Sequence, residues 1–336
     1  MAIEISVIFA VRNEIKNIEN AINSIYQQTF PIENIEIIFV DGMSNDGTFE
    51  YLNNIQSSRK NIIVERNPKI SSASGWNMGI DLARGKYILI MSGHAEISLQ
   101  YLQFCYEILE ASNYAAVAGP TIPIGINRFS NQLALALKSS FGVGNASYFT
   151  STENRVVETL VFGLYRREVL LKVNKFDESI IRGQDWDLNF RIRNQGFKLY
   201  QIGCVNSKYY VRTSLISLWK RHFNAGKWKV YILKKYPHSL LLRHVIPFMF
   251  VLVLFFLIAG ALFSNFIKFI LIGFLLIYLF IGSFFALVTI HKNQEGQLAW
   301  ILLLFFIMHF SYGIGMFQGI MQFLFLSRFK KYFFTD

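Results

Sequence analysis

Residues 89–98 read LIMSGHAEIS. An apolar run that suits a buried strand stops at Ser92, and His94 and Glu96 follow directly. A histidine and a carboxylate at a strand end could hold a metal or a phosphate-bearing substrate. The same residues also make an ordinary polar turn, with Glu96 as a helix-start charge. A second cluster is VDGMSNDGT (40–48), where a strand runs into Asp41 and then into a turn with Ser44, Asn45, Asp46 and Gly47. Asp41 there can accept hydrogen bonds from a base or ribose, or it can simply cap a turn. A third, GQDWDLNFR (183–191), sets Asp185 and Asp187 around Trp186. One carboxylate of such a pair can act as a general base, its pKa raised by the neighbouring charge and by the indole that limits solvent. Both can equally be the acidic first turn of a helix. The fourth cluster, LWKRHFNAGKW (218–228), carries Lys220, Arg221 and Lys227. These cations can stabilise a leaving diphosphate. With Trp219 and Trp228 they can also form an amphipathic helix at headgroup depth on a membrane.

Strands and helices must position these residues. ISVIFAV (5–11), EIIFV (36–40), NIIVE (61–65), YILIM (87–91) and AAVAG (115–119) read as short buried strands. Between them, residues 15–25, 48–56 and 72–83 read as helices, and Ser98 as the N-cap of another through Glu110. This alternation predicts an α/β fold with a largely parallel sheet. Ligands of such sheets bind beyond the carboxyl ends of the strands. Arg12–Glu14, Asp41 and Ser92–Glu96 would all lie there. Residues 121–160, rich in Gly, Ser and Asn, read as long loops covering a site. QDWDLNFRIRNQG reads as a helix with Gly196 just past its end.

Composition limits what the chain can be. It has 336 residues, enough for two units, with 53% hydrophobic and 16% charged residues and 33 Phe. The apolar excess sits in three blocks, at about 247–263, 269–290 and 298–326. A spanning helix needs roughly 20 apolar residues, so three membrane spans are expected. The net charge of +11 is local too: nine Lys or Arg and no Asp or Glu lie between Lys208 and Arg243. A basic stretch before an apolar tail suits the cytoplasmic face of a membrane rather than nucleic acid. Three spans would leave RFKK (328–331) on the far side, against the positive-inside tendency, unless one block folds back or lies in the interface. Cys105 and Cys204 have no metal or disulfide spacing, which suits a reducing compartment. The first residues show no signal-peptide pattern. No Gly-x-Gly-x-x-Gly or Walker loop follows the first strand.

ISVIFAVRNE followed by VDGMSNDGT resembles the opening of the family 2 inverting glycosyltransferases, which have a GT-A fold. SASGWNMGIDLARGKYILIMSGHA, VFGLYRREV and GQDWDLNFR continue the resemblance in order, over about residues 1–230. The GHA variant and the apolar tail look most like the membrane-anchored, succinoglycan-biosynthesis-like branch. The resemblance implies that Val11, Glu14, Asp41 and Asp46 meet the nucleotide, and that Asn77 lies near its ribose. It sets Ser92–His94 on the family's Asp-x-Asp metal motif, with His94 as ligand and Ser92 beside the diphosphate. Asp185 falls on the general base, with Gln184, Trp186 and Asp187 behind it. Arg221, His222 and Lys227 fall on the segment that closes over the pyrophosphate and acceptor. The chain departs from the pattern at Ser92, His94, Gln184 and His222. Imidazole suits Mn²⁺ better than Mg²⁺, so either cation is expected, and weakened metal dependence is a further reading.

The expected organisation is a GT-A (Rossmann-like) catalytic domain over 1–206, with helices on both faces of a mixed, mostly parallel sheet. A basic juxtamembrane and acceptor-side segment follows over 207–244, then transmembrane helices over 245–336. The expected function is transfer of a sugar from a nucleotide-diphosphate donor, UDP-linked first, to a lipid-linked or growing glycan. It would act in cell-surface polysaccharide synthesis, on the cytoplasmic side of a bacterial-type plasma membrane. The expected partners are that donor, that acceptor and membrane lipids, and no nucleic acid. Two alternatives are a polyprenyl-phosphate glycosyltransferase and a non-catalytic sugar-nucleotide-binding subunit.

Overall fold

Strands β1 (Ile5–Val11) and β2 (Ile35–Asp41) are buried almost throughout, as continuous apolar runs require when both sheet faces are covered. They lie side by side in an eight-stranded sheet in the computed structural model, which describes residues 2–144, 149 and 151–326. Contacts divide the chain into two compact units, one of residues 1–122 and 147–210, the other of 123–146 and 211–336.

In the first unit, β3 (Ile62–Arg66), β2, β1 and β4 (Tyr87–Met91) run parallel side by side. The sheet continues through β9 (Leu164–Arg166), β6 (Ala116–Ala118), β10 (Leu199–Gln201) and β8 (Arg155–Val157). Here β9 is antiparallel to both β4 and β6, so the sheet is mixed. β5 (Ala95–Ile97), β11 (Ser207–Tyr210) and β7 (Thr121–Ile124) make a small second sheet. Stacked rings of Phe9 and Phe39, 4.9 Å apart, mark the core between β1 and β2. Each fully buried ring of this kind contributes about 1.5–3 kcal/mol. Helices α1 (Ile18–Tyr26), α2 (Thr48–Ser58), α3 (Ser72–Leu82), α4 (Tyr101–Ala111), α7 (Arg167–Lys172) and α8 (Gln184–Asn194) complete the unit. The expected mixed, mostly parallel α/β architecture is the one observed.

Three local expectations are corrected. The first helix starts at Ile18 rather than residue 15, because the amides of Glu14 and Ile15 donate to Thr48 Oγ1 (2.9 Å) and Asp46 Oδ2 (3.2 Å) instead of entering a helix. Ser98 caps no helix. Its hydroxyl accepts the Asn206 amide at 3.0 Å, and α4 begins at Tyr101. Glu96 is not a helix-start charge: it sits on β5, accepting the Tyr210 hydroxyl at 2.6 Å. Gly196 does stand just past α8, with φ +83.

In the second unit, part of the stretch expected as loops is helical: α5 (Arg128–Lys138) and α6 (Ser140–Val143). Asn127 and Ser130 form a reciprocal capping box, and Leu133, Ala134, Ala136 and Leu137 give α5 its buried face. Residues 145–148 and 150 of that stretch, and RFKK (328–331), lie outside the described residues. The basic helix α9 (Leu215–Lys235) follows, started by Ser214, whose hydroxyl accepts the Ser217 amide. Then come α10 (Leu242–Ala261), α11 (Asn265–Asn293) and α12 (Leu298–Gly319), the last continued by a π-helix over Ile320–Leu326. Three helices are long and apolar enough to cross a membrane, with mean hydropathy 2.5, 2.6 and 1.9.

Candidate active site

The carboxyl ends of β2, β1 and β4 open on one sheet edge, with Val11 paired to Asp41 and Phe9 to Met91. Asp41 is wholly buried at its strand end. Its Oδ2 accepts the Ser44 amide at 2.9 Å and its Oδ1 accepts the Ser44 hydroxyl. Burial raises the Asp46 carboxyl. The Thr48 hydroxyl and amide, at 2.5 and 3.0 Å, and the Ile15 amide outweigh it and hold Asp46 below the usual carboxylate range. These bonds fasten the segment after β1 to the 41–48 turn. Asn13 adds two more, its amide to Ser44 Oγ and its Oδ1 from the Asn45 amide, both 2.9 Å. It does so at φ +56, a backbone conformation that asparagine tolerates.

That fastening sets Glu14 opposite the end of β4. Glu14 Oε1 lies 2.7 Å from His94 Nδ1, with both side chains partly exposed at 17% and 28%. Gly93 makes the approach possible: a Cβ there would fall 2.9 Å from Glu14 Cγ and 3.1 Å from Val11 Cγ1. The Tyr209 ring, centred 5.7 Å from the imidazole, backs His94. Nδ1 is thus engaged by Glu14, and Nε2 is the ring nitrogen outside that contact. This carboxylate–histidine arrangement is the one that orients metal-binding imidazoles. Among the described residues no group of three or more His, Cys, Asp or Glu could hold a metal ion. The donor set therefore does not suit an all-protein cage. It suits a cation carried largely by substrate phosphates and water, the usual habit of Mg²⁺. Ser92, half-buried where β4 ends, gives up its backbone oxygen to the Ala95 amide at 3.1 Å.

Asn77 has its amide committed at both ends. Its Oδ1 accepts the Phe176 amide at 2.9 Å, and its Nδ2 donates to Phe176 O at 2.9 Å and to Glu178 Oε1 at 3.1 Å. It thus ties α3 to the 176–178 segment. Asn77→Ala is expected to cost about 2–3 kcal/mol of stability through three lost bonds, seen as a lower Tm. A rise in donor KM without a Tm change would return Asn77 to the ribose role.

Asp185 occupies the first turn of α8, after Gly183 at φ +83. Part of its surface remains accessible, yet dense packing around it desolvates the carboxyl and pushes its pKa up to about 6. Tyr165, on β9 next to β4, feels that charge: burial first and Asp185 second drive its hydroxyl pKa upward. The Asp187 charge is not the cause of the Asp185 shift. Asp187 is buried and its Oδ2 meets Arg191 Nε and Nη2 at 2.8 and 2.7 Å, an i,i+4 pair that neutralises it. The Trp186 ring stacks on Phe190 at 5.4 Å, and Gln184 Nε2 donates to Ile181 O at 2.8 Å. These partners fix the first turn of α8 without competing for the Asp185 carboxylate.

Arg221, His222 and Lys227 belong to the second unit, on α9. Burial, reinforced by Arg221 and His309, lowers the His222 pKa to about 3, so its imidazole is neutral at physiological pH. Of the three, Arg221 and Lys227 carry the positive charge. The sequence reading named Ser44 only as a turn residue, and it missed Thr48, which locks Asp46, and Tyr209, which backs His94. A strand of four residues such as β11 leaves too few alternations to be read.

The profile of Glycosyl transferase family 2 matches residues 6–173, half of the chain. A Methanococcus voltae protein is 28% identical over 326 residues, 95% of this chain and 97% of its own. It is named dolichyl N-acetyl-alpha-D-glucosaminyl phosphate 3-beta-D-2,3-diacetamido-2,3-dideoxy-beta-D-glucuronosyltransferase. Succinoglycan biosynthesis protein ExoA of Rhizobium meliloti is 24% identical over 237 residues, 70% of this chain and 72% of its own. Among solved structures, GalNAc-T7 with UDP, GalNAc and Mn²⁺ superposes with TM-score 0.52 at 16% identity, over 71% of this chain and 51% of that one, a likeness of fold. With its mixed sheet, ordered motifs and matching profile, this chain belongs to glycosyl transferase family 2 and is a glycosyltransferase of glycan biosynthesis.

Proposed function

We propose that the protein is a membrane-associated inverting glycosyltransferase that moves a sugar from a nucleotide-diphosphate donor, UDP-linked first, to a lipid-linked saccharide. The observation that carries this reading is Asp185: a carboxylate at a helix start, its pKa raised by desolvation to about 6, in a family 2 chain. Such a group is ionised at neutral pH yet basic enough to take a proton. In the proposed step Asp185 removes the acceptor hydroxyl proton as that oxygen bonds to the anomeric carbon. The bond from carbon to the diphosphate oxygen breaks on the opposite face, and the nucleoside diphosphate leaves with the electron pair. One displacement inverts the configuration.

Asp41, Asp46 and the Val11–Glu14 segment form the nucleotide end of this site in the proposal. A divalent cation, when bound with the donor, would neutralise the leaving diphosphate. His94 would be its protein ligand and Glu14 its orienting partner. His94→Ala is expected to reduce the stimulation of turnover by Mn²⁺ by about tenfold, within the 10–100-fold that loss of such shells costs. A metal response equal to that of the parent protein would remove His94 from this role.

A lipid-linked saccharide is favoured over a bare lipid phosphate because the relative matched over 97% of its length is named for a dolichyl-phosphate-linked sugar. The test is to assay purified protein in detergent with UDP-, GDP- and dTDP-sugars, offering either a polyprenyl-linked saccharide or bare polyprenyl phosphate. Sugar transfer to the linked saccharide supports the proposal. Transfer to bare phosphate alone would make the protein a lipid-charging enzyme, and donor binding without transfer or hydrolysis would make it a non-catalytic subunit. The basic stretch before the apolar helices favours the cytoplasmic face for this chemistry.

A further inference from the structure

The three apolar helices differ sharply in what covers them. Buried residues make up only 22% of the apolar window of α10 and 11% of that of α11, against 44% for α12. The α10–α11 hairpin leaves Phe255, Phe256, Phe263, Phe266, Phe269 and Phe280 each more than 60% exposed. An all-round apolar surface of this kind suits hydrocarbon. The 20 residues of α10 rise about 30 Å, the thickness of a bilayer core.

α12 is clasped by α9 and α6, and it also meets α10 near that helix's start, where a Cβ on Gly313 would fall 2.5 Å from Pro247 O. Its C-terminal half runs alongside α9 at backbone contact. A Cβ on Gly226 would fall 2.1 Å from Tyr312 O, one on Gly315 2.0 Å from Phe223 O, and one on Gly319 2.6 Å from Lys227 O. Trp219 meets Phe310, with ring centres 6.0 Å apart, and Trp228 meets Phe323 at 5.5 Å. Lys234 Nζ donates to Phe323 O at 2.7 Å. Because the two backbones touch, this half of α12 shares the environment of α9. That helix carries Lys220, Arg221, Lys227, Lys229, Lys234 and Lys235 and no acidic residue, a composition that does not enter hydrocarbon. Only about 20 Å of α12, from Leu298 to Phe310, precedes this clasp, too short for a crossing. Even there the α6 residue Phe141 packs on Phe305, and its carbonyl lies 2.8 Å from His309 Nε2.

We propose that α12 does not cross the membrane. It lies with α9 as an interfacial layer whose exposed cations face anionic headgroups, and α10–α11 alone cross, as a hairpin. Both ends of the chain then lie on one side. Charge placement agrees. Arg243 at the start of α10 and Lys292 at the end of α11 mark the near side, as cytoplasmic cations do, while Lys268 alone stands near the far turn. The layer also removes the conflict posed by RFKK (328–331), which a third crossing would carry to the far side. This inference does not depend on the proposed reaction.

The test uses the full chain with short epitope tags at both ends, in sealed vesicles of each orientation. A Cys204→Ser background removes the exposed native thiol and leaves Cys105 buried. Expected is protease access to both tags from the same face. A membrane-impermeant maleimide should reach Ser264→Cys, in the α10–α11 turn, only from the opposite face. Tags accessible from opposite faces would show that α12 crosses and overturn the proposal. A Ser264→Cys that labels from the tag face, or from neither, would overturn the crossing hairpin.

Discussion

Asp185→Asn is expected to lower glycosyl transfer about 10²–10⁴-fold, the range lost with a general base, while donor affinity stays within about twofold. Asparagine keeps the size and the helix-start position but cannot take a proton. The same substitution should stabilise the protein, and the sign follows from linkage. The folded carboxyl, at about 6, binds its proton more tightly than the unfolded one at 3.8. Its contribution to stability is therefore complete below pH 4 and lost as pH rises through 6. A shift of this size corresponds to about 3 kcal/mol at most. With Asp185 still partly accessible, a gain of about 1–2 kcal/mol for the Asn variant at pH 8, vanishing at pH 4, is the expected outcome. Thermal melts of both proteins at the two pH values measure it. Loss of turnover with an unchanged pH dependence of Tm would mean that the Asp185 carboxyl is not desolvated.

Gly226→Ala and Gly315→Ala are expected to destabilise the helical unit by about 3 kcal/mol each, at the upper end of overpacking costs. The added methyl would fall 2.1 Å from Tyr312 O in one case and 2.0 Å from Phe223 O in the other. Both obstacles are main-chain carbonyls, so no side-chain rotation relieves them and α9 must separate from α12. Gly273→Ala is the control. It lies in α11, and nothing stands within 4 Å of an added Cβ. Tm in detergent should fall by several degrees for the first two variants and stay level for the third. Equal behaviour of all three would mean that α9 and α12 are not in backbone contact.

Much of the fold was readable because its central strands are buried on both faces. β1, β2 and β4 show as apolar runs with no competing pattern, and their ends correctly located Asp41, Glu14 and His94 on one edge. What escaped was short or composite. Strands of three or four residues, such as β5 and β11, carry no period, so Glu96 was taken for a helix-start charge. α5 was hidden by the Gly, Ser and Asn content of the stretch around it, although the Asn127–Ser130 box announces a helix start. Asp187 looked like the charge that tunes Asp185, although the helix read there already sets Arg191 at i,i+4 to neutralise it. The docking of α9 on α12 depends on three glycines that meet carbonyls distant in sequence, which no local pattern reports.

The most direct measurement is the pH dependence of kcat/KM for nucleoside-diphosphate release from the preferred donor with its saccharide acceptor. Expected is a plateau above pH 7 and a tenfold loss per pH unit below an apparent pKa of about 6, with that limb absent from the residual activity of Asp185→Asn. A profile flat down to pH 5, or an Asn variant that keeps both the rate and the limb, would contradict the assignment of Asp185 as the base.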